Sequence, residues 1–377
     1  MAKSGKVRTA DPLADRLRAR IKLEGPITFQ EWMSAALYDQ QDGYYCRADR
    51  IPQGRAGDYR TAPETSPLFA ATFANYFSKL FTDLKWPQTW TIFEVGSAGG
   101  DFAHGLLSSL RQSDSRIFAA TNYVIDEISP AARQRATERL SEFADRVTFL
   151  PLAEVVKPTM GIVFTNELID ALPVHRVIMR DGRLRELCVG LNKTEFAWIE
   201  CDLSPALTEY AERTRMHLVE GQIAEINLAA EDFISRAAAL LEPGYVVTVD
   251  YGAERDELWR LPNRQAGTLR AFRRHQFVDD VLATPGDQDL TTTIDWTQVR
   301  EAGERVGLRP LRFERLDQFL LVEGLLGRLG EISSTLDAVE AIRLSTSARE
   351  LVLPTGLAAS FQVLVQAKPQ ERSAPMK

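Results

Sequence analysis

The sequence predicts a doubly wound α/β fold, and three observations carry that reading. Short apolar runs rich in β-branched residues alternate with helical patterns along most of the chain. The first of these runs ends in a cluster of small residues, and the second ends in a carboxylate. Alternation of strand and helix is what a parallel sheet covered on both faces requires. With 377 residues, 45% of them apolar and 26% charged, the chain has enough core for one big domain with additions or for two modest ones.

The elements follow in order. The first 24 residues hold seven Lys or Arg against three acids. Leu13, Leu17 and Ile21 share one helical face there, so an amphipathic helix docked on the body is expected in preference to an organelle presequence. Core strands are expected at 91–96, 123–127, 147–150, 161–167 and 245–250, with helices at 102–111, 130–143 and 229–241. Residues 174–225 read as antiparallel strands around the turn Asp181-Gly182, inserted between two core strands as a lid or flank. Residues 252–293 hold few periodic apolar positions and read as a loop too long to be idle. A helix at 296–306, a strand-like run at 308–316 and a strand at 360–367 that would return antiparallel complete the core. The expected organisation is therefore an N-terminal helical segment with covering loops over 1–85, a core of 86–173 and 226–368, a β-rich flank of 174–225 and a polar tail of 369–377.

Composition removes several classes of function. A net charge of -7 without a basic stripe argues against nucleic acid as a partner. The three cysteines, Cys46, Cys188 and Cys201, form no CxxC pair and have no His at ligand spacing, so neither a disulfide framework nor a metal site is expected, and a reducing compartment is. No apolar run reaches the roughly 18 residues of a membrane span, so no membrane partner is expected. The resulting expectation is a cytoplasmic protein of bacterial type rather than one of the mitochondrial matrix.

Chemistry concentrates at the stretch "IFEVGSAGGDF", residues 92–102. Gly96, Ser97, Ala98, Gly99 and Gly100 lie between a strand and a helix, where small residues let the backbone approach a ligand and the helix N-terminus offers unpaired N–H groups. The second strand ends "YVIDEIS", placing Glu127 where a carboxylate can accept the hydroxyls of a ribose. A nucleoside-containing ligand follows from the two features together. Hydride transfer is disfavoured, because a dinucleotide loop reads GxGxxG with its acid about 20 residues on, whereas this loop reads Gly-x-Ala-x-Gly and its acid lies farther away. The later order of helix, Pro-Gly turn, strand and reversed terminal strand resembles class I S-adenosylmethionine-dependent methyltransferases.

Eight stretches narrow that resemblance: "GPITFQEWMSAALYDQQDGYY", "GDYRTAPETSPLFA", "FEVGSAGGDF", "IDEISP", "TNELIDALPV", "VDYG", "GTLRAFRRH" and "PGDQDLT". In this order, over roughly residues 25–367, they are similar to the successive blocks of the MidA-like methyltransferase family, which includes a mitochondrial complex I assembly factor that methylates a protein arginine. The resemblance implies a Rossmann-like methyltransferase core that binds S-adenosylmethionine and releases S-adenosylhomocysteine. It implies cofactor contacts from Glu94, Gly96, Ser97, Ala98, Gly100, Glu127, Ile128, Thr61, Ser66 and Asn166. Three departures stand out. Ser97 replaces a proline and Ala98 a glycine of the family's first loop; the "TSPEIS" block reads "TAPETS", keeping Thr61, Pro63, Glu64 and Ser66; and Thr293 stands where a histidine is expected.

Methyl transfer from a sulfonium is an in-line displacement in which positioning does most of the work. An arginine acceptor calls for carboxylates that hold the guanidinium. Asn166, Glu167 and Asp170, leaving the fourth strand on the ligand side of the sheet, are the candidates, with Glu64 beside them. Asp170 and Glu64 read equally as helix or turn caps. Asp250 and Tyr251 are read as supporting groups or acceptor contacts, and Gln288 and Asp289 as site-lining loop residues. His104, His175, His217 and His275 form no constellation. The function expected is protein arginine N-methylation, with a respiratory-complex subunit as the partner that the resemblance brings forward. A small-molecule N- or O-methyltransferase and a non-catalytic assembly factor are the alternatives, and a homodimer stays open.

Overall fold

The computed structural model describes residues 12–47, 66–261, 264–273, 276–353 and 356–370. They fall into two compact units, one drawn from 1–52, 172–228 and 256–292, the other from 53–171, 229–255 and 293–377.

The larger unit is built on a sheet whose main strands, numbered in chain order within this unit, are β1 (Trp90–Val95), β2 (Thr121–Asp126), β3 (Val147–Phe149), β4 (Thr159–Asn166), β5 (Leu241–Ala253), β6 (Arg309–Arg315) and β7 (Phe361–Lys368). Their order across the sheet is β6-β7-β5-β4-β1-β2-β3, and a two-residue strand, Ile294–Asp295, pairs with the end of β5. Strands β1 to β5 run parallel. Strand β7 runs antiparallel to both β5 and β6, so the reversal expected for the last strand is present. The order reverses beside β1, so the carboxyl ends of β1, β2 and β4 meet at one edge, the place where open α/β sheets bind ligands.

Its helices are α1 (Pro67–Asp83), α2 (Asp101–Ser113), α3 (Ser115–Ala120), α4 (Pro130–Arg139), α5 (Leu228–Ala239), α6 (Trp296–Arg305), α7 (Leu316–Val322), α8 (Leu325–Ser333) and α9 (Ala338–Val352). One core joins α1, α2 and a sheet face, with Phe102 of α2 stacked on Phe164 of β4 at 4.1 Å and Phe73 of α1 packed on Phe102, Phe164 and Phe319. The alternate strand positions Phe93, Val163 and Val246 are buried too. Burial on both faces explains why these strands read as continuous apolar runs rather than alternating ones. Helix α1, expected only as part of an N-terminal helical segment, buries Leu68 to Ala74 without interruption and leaves Asn75, Ser78, Lys79 and Thr82 along one less buried stripe in its second half. The helix read over 130–143 ends at Arg139, and Ser141–Phe143 continues as a 3-10 turn.

In the smaller unit, the strands His175–Arg180, Arg183–Asn192 and Glu195–Cys201 form an antiparallel meander. Ile27–Thr28 pairs with the middle of Arg183–Asn192, and Ile223–Ile226 pairs with His175–Arg180. Asp181 and Gly182 both hold positive φ, at 51° and 70°, as a two-residue hairpin turn requires. The N-terminal helix Pro12–Glu24 buries Leu13, Ala14, Leu17 and Ile21. The stretch read as a long loop over 252–293 instead contributes a three-stranded sheet of Arg270–Arg273, Gln276–Val278 and Asp289–Thr291. Strands of three or four residues are too short to establish an alternation. Thus 12–47 and most of 252–293 join the flank's unit, whereas α1, within the stretch read as a covering segment, belongs to the core.

Where β1, β4 and β5 begin, two glycines permit close strand approach. A Cβ on Gly161 would lie 1.9 Å from the Thr91 carbonyl oxygen, and one on Gly244 would lie 2.3 Å from the Gly161 oxygen. The atoms in the way are backbone, so no rotamer change relieves the overlap. Gly161→Ala is therefore expected to destabilise the protein by about 3 kcal/mol or more, seen as a fall of several °C in calorimetry; an unchanged melting temperature contradicts this account of the register.

Candidate active site

The loop after β1 is built from left-handed turns. Gly96, Ala98 and Gly100 take φ of +74°, +52° and +76°. Gly100 is the N-cap of α2 and supplies no side-chain cap, which leaves N–H groups of the first helical turn available to an anion or a polar ligand. A Cβ on Gly96 would come 3.2 Å from Leu168 Cδ1, so this loop abuts the turn that leaves β4. A Cβ on Gly100 would press on Ala136 of α4 at 3.1 Å. Ala98 is the costly member, because an L-residue in the left-handed region carries about 1–2 kcal/mol of steric strain that glycine avoids.

Glu127 holds this loop in place. Its carboxylate accepts the Ala98 N–H at 2.8 Å through Oε2 and the Ser129 N–H at 2.8 Å through Oε1. Burial pushes its pKa up, while the two backbone donors pull it down. Each oxygen keeps a further lone pair. Ile128, next in the chain, is 54% exposed and offers an apolar surface beside that carboxylate. Glu94 lies in β1, buried, with its Oε2 accepting the Tyr123 hydroxyl at 2.7 Å. Burial pushes its carboxyl up to about 8, against the pull of that hydrogen bond, and the nearby charges of Glu127 and Asp101 add to the rise. Asp101 in turn pairs with Arg139. The sequence reading missed Tyr123. Its signal lies in the register, where Tyr123 pairs with Ile92, so Glu94 two residues on shares its face and falls within diagonal reach of a phenol.

At the end of β4 a second cluster forms. Asn166 Nδ2 donates to Glu167 Oε1 at 3.1 Å, and Glu167 itself adopts φ +52° while its N–H bonds the Val249 carbonyl at 3.0 Å. Asp250, fully buried, accepts the N–H groups of Ile169 at 3.0 Å, Asp170 at 3.2 Å and Tyr251 at 2.8 Å. The Tyr251 hydroxyl donates to Asp170 Oδ2 at 2.7 Å. Burial, with Asp170 beside it, pushes the Asp250 carboxyl well above its ordinary range. Asp250 and Tyr251 thus hold the turn that presents Asn166, Glu167 and Asp170.

Ser66, Gln288 and Asp289 have partners of their own. Ser66 is the N-cap of α1, accepting the Leu68 N–H at 3.3 Å and receiving the Ser347 hydroxyl at 2.9 Å. Gln288 and Asp289 belong to the smaller unit, where Gln288 Nε2 donates to the Val281 carbonyl at 2.6 Å and Asp289 accepts the Tyr45 hydroxyl at 2.7 Å. His104 contacts Glu142 and His175 contacts Glu186; His217 is exposed. Thr61, Glu64 and His275 lie outside the described residues.

The fit to a cationic nucleoside such as S-adenosylmethionine rests on what these groups leave open. Ser97 Oγ and Asn166 Oδ1, at the ends of β1 and β4, are buried without a hydrogen-bond partner among the described residues, which is costly unless a ligand completes them. Carboxylates outnumber cations around them, which suits a ligand carrying positive charge. Because Ala98 is strained, Ala98→Gly is expected to raise stability by about 1 kcal/mol without weakening S-adenosylhomocysteine binding in calorimetric titration. A loss of stability would mean that the methyl packs usefully.

Comparison with known proteins shows the family. Residues 72–314 match the model of an S-adenosyl-L-methionine-dependent methyltransferase family, Methyltransf_28. The chain is similar to the mitochondrial protein arginine methyltransferase NDUFAF7 of Danio rerio, 26% identical over 92% of this chain and 84% of that one, and to its Drosophila melanogaster homologue, 26% identical over 78% and 70%. Among solved structures, a superfamily member from Burkholderia thailandensis bound to S-adenosyl-homocysteine is 28% identical and superposes with a TM-score of 0.85, covering 98% of this chain and 97% of that one. The chain belongs to the MidA-like family of S-adenosylmethionine-dependent methyltransferases.

Proposed function

We propose that this methyltransferase modifies a guanidinium nitrogen of an arginine in a protein partner. The observation that carries the reading is the carboxylate-rich turn after β4, adjoining the glycine loop through Leu168, with Glu167 held in a left-handed conformation. A backbone strained by about 1–3 kcal/mol persists where its surroundings over-determine it, and here Asp250 and Tyr251 do so. The names of the relatives, arginine methyltransferases at 26% identity, support the same reading.

When bound, the cofactor supplies an electrophilic methyl on a sulfonium. The protein's part is to place the acceptor. In the proposed arrangement Glu167 and Asp170 accept N–H bonds from the guanidinium, which fixes its plane and leaves one nitrogen facing the methyl. As the carbon–nitrogen bond forms and the carbon–sulfur bond breaks, that nitrogen sheds a proton, for which the Glu167 carboxylate is the acceptor. Asn166 orients Glu167 through the 3.1 Å contact. The proposed compartment is cytoplasmic, in keeping with cysteines that form no disulfide, and a respiratory-complex subunit is the partner class to examine first.

The test is methyl transfer from labelled S-adenosylmethionine into lysate protein, followed by hydrolysis and identification of the methylated amino acid. ω-N-methylarginine is expected; label confined to metabolites, or on another residue, overturns the arginine reading. Glu167→Gln keeps volume and acceptor oxygen but removes the charge. Turnover should fall a hundredfold or more, equivalent to about 2.7 kcal/mol, while S-adenosylhomocysteine affinity and melting temperature stay near wild type. A melting temperature more than about 5 °C lower would assign Glu167 to the fold.

A further inference from the structure

Glu94, expected from the sequence to contact the cofactor, is a buried carboxylate at the glycine-loop edge. It is 4% exposed, and among the described residues it has no cationic partner. Its hydrogen bond comes from a neutral phenol, Tyr123, itself fully buried. The charged groups facing it are acids. Glu127 stands at the end of β2 and Asp101 in the first turn of α2. Of the cations at this edge, Arg139 is engaged by Asp101, Arg133 donates to the Glu127 carbonyl at 2.8 Å, and Arg135 lies beside Gly99. On the β4 side, the residue in register with Glu94 is Phe164, which is apolar. A carboxylate in such a place is charged only at a cost that a nearby positive ligand would relieve.

We propose that cofactor binding is coupled to proton release from Glu94, with Tyr123 as the positioning residue that orients its carboxyl. The inference rests on the loop being the cofactor site. In the free protein near neutral pH Glu94 carries its proton, since burial pushes its carboxyl up to about 8. Positive charge arriving at the adjoining loop favours the carboxylate, and the proton leaves to buffer. The sign follows from linkage. The free protein holds the proton and the complex does not, so affinity rises with pH through the neutral range, by up to about tenfold per unit, and levels off above about pH 8, where free Glu94 is already ionised. Tyr123 sustains this by donating to the carboxylate once it forms.

Calorimetric titration of the full chain with S-adenosylmethionine at pH 7 in phosphate and in Tris, buffers of very different ionisation enthalpy, reads the proton directly. Wild type should release a substantial fraction of one proton, so that the observed heats differ between buffers. Glu94→Gln, which keeps the shape and cannot ionise, should bind with equal heat in both and lose the pH dependence of its affinity. Tyr123→Phe should move the plateau to higher pH. Binding of normal stoichiometry whose heat does not depend on buffer overturns the coupling while leaving the cofactor site intact, whereas no binding at all would count against the site itself. Unchanged proton release in Glu94→Gln would move its source elsewhere and overturn the assignment, and wild-type titrations decide the question even if that variant does not fold.

Discussion

The arrangement of the ligand edge depends on one carboxylate. Glu127 ends β2, yet both of its oxygens are engaged by backbone N–H groups, one from the β1 loop at Ala98 and one from its own turn at Ser129. A parallel sheet aligns neighbouring strands but leaves the loops beyond their ends without ladder partners. Glu127 replaces the missing ladder by joining two such loops. Because it does so through charge-assisted bonds in a buried setting, it keeps a strained Ala98 in a left-handed turn. A substitution there acts on loop geometry as well as on any ligand contact, and the two effects separate only if loop conformation is followed beside affinity.

The same logic recurs on the other side of β1 and β4. Asp250 at the end of β5 receives three N–H groups, two of them from the turn after β4. Acids on β5 and just beyond β2 thus organise the loops of the strands beside them, β4 and β1, rather than pairing with cations. A site assembled this way has a fixed backbone and buried carboxyl groups whose ionisation a cationic ligand favours.

The parallel core was legible in the sequence because strands buried on both faces write themselves as apolar runs, and the loop and its acid were legible because glycines and a terminal carboxylate interrupt such runs. The Tyr123–Glu94 pair was not, since it depends on register. Helix α1 was expected only within a broader helical segment, because its first half, Leu68 to Ala74, is buried without a break and its polar stripe, Asn75, Ser78, Lys79 and Thr82, begins only midway. The short strands of 270–291 escaped because each offers at most two side chains per face. Neither the positive φ of Ala98 nor that of Glu167 is written in residue type, as both positions hold residues that avoid it.

Strand order carries a consequence for how the molecule is made. Strand β7, residues Phe361–Lys368, lies between β5 and β6, so β5 has no neighbour on that side of its central stretch until the final strand has left the ribosome. In that interval the edge of β5 leaves unpartnered the backbone N–H and C=O groups of 244–251 that β7 will pair, and β6 has no strand of the sheet to join. A chain that folds before this strand is made would carry an open strand edge, the kind of surface that pairs with other chains. Loss of the last strand would arrest the protein at that stage, with the glycine loop already synthesised on a sheet that cannot close.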